Sequence, residues 1–454
     1  MKERLLKAIK KSKADYTEIR FEIIEANALS YRGPEVENVS FNKFGGGIAR
    51  ACVNGGWGLS VFDSIESLEY QVEEAYKCAK LVGNEKTELS FIEPVDKTIH
   101  AELKNDFRGV SLDSKLKVIQ DYNNILLKAD TAIETSNIYY NEEFRTVYFA
   151  SSTGTYFMEE RPLLSLGFNA VARDGSLVQR SQDGVASSID YNAVLGLENK
   201  VEETAKRAAK LLKARPCIGG KYTVILNQAL AGVFVHEAFG HLSEADFLYE
   251  NPKMRDLMHI GREMGAKELN IVDDGSLCNY IGTNSFDDEG TPTQKIYLIK
   301  NGVLKGHLHS LETAKKMNAK PTGNARAVKR TFPPIIRMTN TYIENGTKTL
   351  DELISSVDNG IYACDNIGGM TELEMFTFSA GYGKKIENGE IGELIRDVVL
   401  TGNVFETLHS INGFGNDFII SELPGGCGKN GQSPLPVTFG SPHLRIRDVV
   451  IGGR

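Results

Sequence analysis

The sequence predicts an α+β protein of two domains: an N-terminal mixed α/β sheet domain over 1–216 and a strand-rich C-terminal domain over 217–454. Three observations predict it. Period-two apolar alternation fills several long stretches, and discrete blocks of helical spacing interrupt it. Pro216, Gly219 and Gly220 break a charged helix just before the apolar strand Tyr222–Leu226, which puts a boundary near residue 217. At 454 residues the chain is also too long for one ordinary core.

The elements follow in order. "MKERLLKAIKKSKADYTEIRF" sets Leu5, Leu6 and Ile9 among charges, which makes an amphipathic helix and not the apolar core of a signal peptide. From there to Phe62, short alternating segments and glycine-rich turns predict strands of an antiparallel or mixed sheet. "SIESLEYQVEEAYKCAKLVG" has helical spacing with a glycine just past its end. In "LDSKLKVIQDYNNILLKAD", Leu112, Leu116, Ile119 and Tyr122 share one helical face. Alternation returns from Ala132 to about Val178, and "NAVLGLENKVEETAKRAAKLLKA" closes this half with a further helix. In the second half, Asn301-Gly302 between apolar runs predicts a hairpin. "IENG" occurs at 343–346 and 386–389, but different elements follow each copy, so these are shared turns and not repeats.

A formal net charge of -8 argues against a nucleic-acid binder. No apolar run approaches the ~18 residues of a membrane span, and the cytoplasm is the expected compartment. Six cysteines without a C-x-x-C pair are too sparse for a disulfide scaffold and are expected to be mostly reduced and buried.

The chemistry concentrates in "VFVHEAFGHLSEADF", Val233–Phe247. Asn227 is the expected N-cap of the helix that carries it. Glu237 follows His236 at once, and His241 lies five positions after His236, whereas the zinc-protease motif H-E-x-x-H spaces its histidines by four. On a regular helix, positions four apart diverge by about 40° and positions five apart by about 140°. Two ligands for one metal therefore require a local π-bulge, which Gly240 can accommodate. Two helical histidines are commonly just polar-face residues. The adjoining Glu237 adds weight, because a carboxylate there can act as general base. A catalytic zinc site needs a third protein ligand. His307 and His309 alternate along an expected strand, His409 lies in "ETLHSINGFGND", and His100, His259 and His443 are isolated. Cys427, in "LPGGCGKNGQSPLP", is favoured, because glycines on both sides let the backbone bring a thiolate to an ion.

These residues carry a resemblance. "HEAFGH", "DDEGTP" at 287–292, "IRMTNTYIENG" at 336–346, "INGFGNDF" and "CGKNGQSPLPV" are similar to segments of the TldD/PmbA family, from about residue 220 to the end. The first half is similar more loosely, in "GGGIARACVNGGWGLSVF". The resemblance implies one Zn2+ per chain held by His236, His241 and Cys427, with Glu237 as catalytic base. It implies a metallopeptidase acting on unstructured polypeptides or small peptides, and a dimer, either with itself or with a TldE/PmbA-like sister chain. Two other readings stay open: a metal-dependent hydrolase of small amides, and a non-catalytic partner with a structural zinc. Substrate-binding residues are unknown; Arg326 and His409 are offered for the oxyanion. The acidic "FDDEG" is expected to be a solvated hairpin loop rather than a site for a cationic group, and "GGGIA" and "GGWG" are expected to be strand turns because neither continues as G-K-[ST].

Overall fold

The computed structural model describes residues 1–84, 88–421, 423 and 426–452, so positions 424 and 425 of the glycine-rich run before Cys427 lie outside the described residues. The architecture is α+β and strand-rich.

The first half is one seven-stranded sheet. Its strands are β1 (Tyr16–Arg32), β2 (Glu35–Val53), β3 (Gly56–Phe62), β4 (Asp96–Ile99), β5 (Ile133–Ser151), β6 (Tyr156–Asp174) and β7 (Leu177–Ser187). The order is β3-β2-β1-β5-β6-β4, with β7 also paired to β6. Helices α1 (Lys2–Ile9), α2 (Leu68–Val82), α3 (Leu112–Lys128) and α4 (Glu198–Lys213) supply the apolar faces that cover it. In α3 the predicted face holds: Ile119 and Tyr122 are buried, Leu112 and Leu116 pack half-buried against the same core, and the Ser111 side chain caps the helix by accepting from Ser114 N. Gly83, just past α2, works differently from a left-handed cap. Its backbone is extended at φ -70, and a Cβ there would lie 2.1 Å from the Val53 carbonyl oxygen, so glycine lets helix and sheet approach.

In the second half, strand Gly220–Leu226 lies between Asn359–Glu372 (parallel) and Leu444–Gly452 (antiparallel). Pairing continues through Val399–Asn403 and Met375–Glu387 back to Asn359–Glu372, so the strands form a closed ring. A separate six-stranded sheet contains Ile271–Asp274, Asn340–Ile343 and Thr438–Ser441. The Asn301-Gly302 hairpin is present, with φ of 52° and 75°, as a type I′ turn requires. Helix α5 (Gln228–Val235) packs against strands of both sheets, with Leu230, Ala231 and Phe234 buried. Asn227 caps it, its side chain accepting from Leu230 N at 3.0 Å.

The acidic loop is a correction. Asp287, Asp288 and Glu289 are buried, not solvated, because the loop enters the N-terminal half and meets its arginines. Arg161 donates to Asp288 at 2.8 Å, and Arg20 and Arg50 pair with Asp288 and Glu289. Phe286 stacks on Phe157 with ring centroids 4.9 Å apart. The cationic partners of this loop belong to the chain itself.

Candidate metal centre

The histidine segment leaves the regular helix where spacing demands it. After α5 ends at Val235, His236–Gly240 forms a π-helical turn and His241–Ser243 a 3₁₀ turn. The wide turn absorbs the extra residue and lets His241 come round toward His236. Their ring centroids lie 5.4 Å apart. Gly240 is needed for packing, not for an unusual backbone: its φ and ψ are helical, -56° and -49°. A Cβ at Gly240 would lie 1.9 Å from Met338 Sδ, so any side chain there displaces the methionine beneath the turn.

Cys427 arrives from the hairpin Cys427–Lys429/Gln432–Leu435. Arg337, fully buried, holds the base of this hairpin. It donates to the Cys427 carbonyl at 2.6 Å and to the Gln432 carbonyl at 3.0 Å. Ligand atoms of His236, His241 and Cys427 all lie within 4.8 Å of one another, and Cys427 Sγ is 3.2 Å from His241 Nε2. Among the described residues this is the one such three-residue group. Three donors on a tetrahedral zinc would sit about 3.4–3.6 Å apart, given the usual bond lengths. The observed spacing, 3.2 Å for one pair and no more than 4.8 Å for any, brackets that range.

The donor set also fits an ion on chemical grounds. His236 and Cys427 are 3% and 2% exposed, and His236 Nδ1 is buried without a hydrogen-bond partner. Two imidazoles and one thiolate suit a borderline-soft divalent metal. Burial pushes the Cys427 thiol up, but His236 and His241 bring it down to about 4, so the sulfur is a thiolate at neutral pH. Burial opposes charge on both imidazoles. Cys427 nevertheless holds His236 above its ordinary value, and Glu244 with Cys427 holds His241 well above. Glu237 stands apart from the buried His236 and Cys427: its carboxylate lies 3.9 Å from Nε2 of the half-buried His241, and its side chain is 28% exposed.

The other histidines lie elsewhere. His307 and His309 face one another, rings 6.3 Å apart, in a basin of their own, and both are buried. His443 bonds Asp417 and Tyr362, and His409 sits on the helix Val404–Ser410. Arg326 donates to the carbonyls of Met338 and Pro436 at 2.6 and 2.8 Å. The cysteines divide: Cys52, Cys217, Cys364 and Cys427 are buried, but Cys78 and Cys278 are exposed. Sequence reasoning missed Glu244, Asp246, Arg337 and Lys429, which surround the ligands. The available signals were the three-residue step from His241 to Glu244 and the two-residue step from Cys427 to Lys429.

Comparison with known proteins supplies the context. Models of the PmbA/TldA metallopeptidase match in three consecutive parts: domain 1 over residues 17–79, the central domain over 105–215 and the C-terminal domain over 219–453. A Synechocystis protein named a metalloprotease is 43% identical, with 97% of this chain and 96% of that protein aligned. A Saccharolobus solfataricus protein named a zinc metalloprotease TldD homolog is 30% identical over 99% of this chain and all of that one. Among solved structures, TldE from Thermococcus kodakarensis superposes with a TM-score of 0.81 at 21% identity, covering 100% of both chains, a likeness of fold.

Proposed function

The chain belongs to the PmbA/TldD metallopeptidase family, and on that premise we propose that it is a zinc-dependent peptidase. In this reading His236, His241 and Cys427 hold one zinc ion and Glu237 is the general base. The observation that carries it is the convergence of two histidines and a buried thiolate beside a half-open carboxylate. A purely structural zinc usually has four closed protein ligands and needs no neighbouring base.

When bound, zinc supplies Lewis acidity, the chemistry that activates water and polarises a carbonyl. The chain's own residues do the rest. Glu237 takes the proton of the attacking water on a carboxylate oxygen and returns it to the leaving amine nitrogen. Its partial exposure lets substrate and water reach it beside the half-buried His241, while His236 and Cys427 stay sheltered. The Cys427 thiolate contributes more charge than a third neutral imidazole would. That softens the ion's acidity and shifts more of the barrier onto Glu237.

The same reading takes residues 217–454 as the catalytic domain and 1–216 as the companion domain. It is supported by a large apolar core built entirely from residue 217 onward, with all four site residues in the same stretch of chain. Substrates are unstructured or short peptides, which an open strand edge can bind through their backbone with little side-chain preference. The working form is a cytoplasmic dimer, with itself or with a TldE/PmbA-like sister chain. No helix among the described residues is long and apolar enough to cross a membrane.

The test is paired. Metal analysis and hydrolysis of a disordered peptide are measured for the wild type and for Glu237→Gln. The reading expects metal in both and turnover only in the first. Equal turnover removes Glu237 from the mechanism.

A further inference from the structure

Two segments bring the ligands together, and each carries a second group beside its ligand. In a strand, residues two apart face the same way. Cys427 and Lys429 accordingly both turn toward the histidine segment: Cys427 Sγ lies 3.2 Å from His241 Nε2, and Lys429 Nζ lies 3.0 Å from Glu244 Oε2. On the opposite side, the 3₁₀ turn puts His241 Nδ1 3.0 Å from the same Glu244 oxygen. The contacts therefore form a closed ring of sulfur, imidazole, carboxylate and ammonium, completed by the short strand that joins Lys429 back to Cys427.

Each link has a physical consequence. A carboxylate only accepts, so the proton of a neutral His241 sits on Nδ1 and the Nε2 lone pair faces Cys427. Glu244 is 1% exposed, and a carboxylate that deep is costly without a cation beside it. Lys429 is that cation, and its remaining bonds hold it still: 2.7 and 2.8 Å to the two Asp246 oxygens, and 3.0 Å to the Ile336 carbonyl. Ligand-bearing segments 186 residues apart in sequence are thus kept in register by a bridge that contains no ligand atom facing the ion.

We propose that Glu244 and Lys429 are positioning residues: Glu244 fixes the ring orientation and tautomer of His241, and Lys429 ties that carboxylate to the cysteine hairpin. This rests on the metal-binding reading above. Such outer partners typically account for 10–100-fold in metal affinity.

The test uses the full chain, stripped of metal with a chelator and titrated with cobalt(II). Its thiolate-to-cobalt charge-transfer band reports the bond to Cys427, and its d–d bands report coordination geometry. Competition with a chromophoric chelator gives the affinity. Glu244→Gln and Lys429→Met are each expected to bind cobalt about 10–100-fold more weakly with altered d–d bands, while Lys429→Arg, which keeps the charge and the donors, recovers most of the affinity. Circular dichroism of the stripped variants confirms that they are folded. If Glu244→Gln does not fold, the Lys429→Met and Lys429→Arg pair still decides, because both keep Glu244. Folded variants with wild-type affinity and an unchanged spectrum overturn the positioning role. A wild type without any charge-transfer band overturns the metal reading itself.

Discussion

Two clusters of charged residues in the C-terminal half look alike in sequence and differ in how completely they are satisfied. The acidic loop at 287–289 is saturated. Asp287 accepts from the backbone N–H groups of Glu289, Thr291 and Ala325. Asp288 accepts from Ala327 N and Arg161 and pairs with Arg20; Glu289 accepts from Leu311 N and pairs with Arg50. The histidine segment is left open by comparison. His236 Nδ1 is buried with no partner, and Glu237 keeps its carboxylate toward solvent. A saturated cluster holds two halves of a molecule together, whereas an unsatisfied one retains donors for something else. Proximity of charges marks both; what separates them is that the three acidic side chains of the loop all have partners, whereas a nitrogen of His236 has none.

Substitutions sharpen this contrast, beginning with the largest effect. Cys427→Ala removes the thiolate and should abolish both metal retention and peptide hydrolysis, read by mass-spectrometric metal analysis and a peptide assay. Full metal retention by that variant places the third ligand elsewhere. Glu237→Gln should keep the metal and lower the rate by on the order of 10²–10⁴-fold, the usual contribution of a general base.

In the saturated cluster the effect moves from activity to stability. Burial raises the Asp288 carboxyl, but Arg20 and Arg161 hold it well below the ordinary range, so it is charged throughout the neutral region. Asp288→Ala strips a buried pair of one partner and should cost about 3 kcal/mol, the low end for such a loss, because Glu22 and Glu159 still face the two arginines. Denaturant unfolding measures this, and metal content should not change.

The last expected effect is a pH slope. Burial depresses both His307 and His309 to about 4, so the unfolded chain binds more protons than the folded one below the ordinary histidine value. Their contribution is complete above pH about 6.5 and is lost as pH falls through about 4, at up to about 3 kcal/mol per ring. Glu289, pushed up to about 7 by burial, acts with the opposite sign over an overlapping range. The informative quantity is therefore the difference between wild type and His307→Leu, which should flatten the loss between pH 6.5 and 4.

Local signals made much of this legible. The helices α2, α3 and α4, the Asn301-Gly302 hairpin and the Asn227 cap each depend on residues within a few positions of one another. The five-residue histidine step likewise announces the π-helical turn, because the angular mismatch is a property of the segment alone. The acidic loop was not legible. Its partners Arg20, Arg50 and Arg161 lie more than a hundred residues away, and nothing in "FDDEG" says that a second sheet will cover it. Lys429 and Glu244 stayed hidden for the same reason, since their meeting depends on how Cys427 is delivered to His241. Gly240 was assigned to the right place for a different reason, being demanded by Met338, a contact across the fold.

X-ray absorption at the zinc edge on purified protein tests the central claim most directly. The account predicts a first shell with one sulfur at about 2.3 Å and two imidazole nitrogens at about 2.0 Å, plus one light atom. A shell made only of nitrogen and oxygen, or protein that carries no metal, would contradict it.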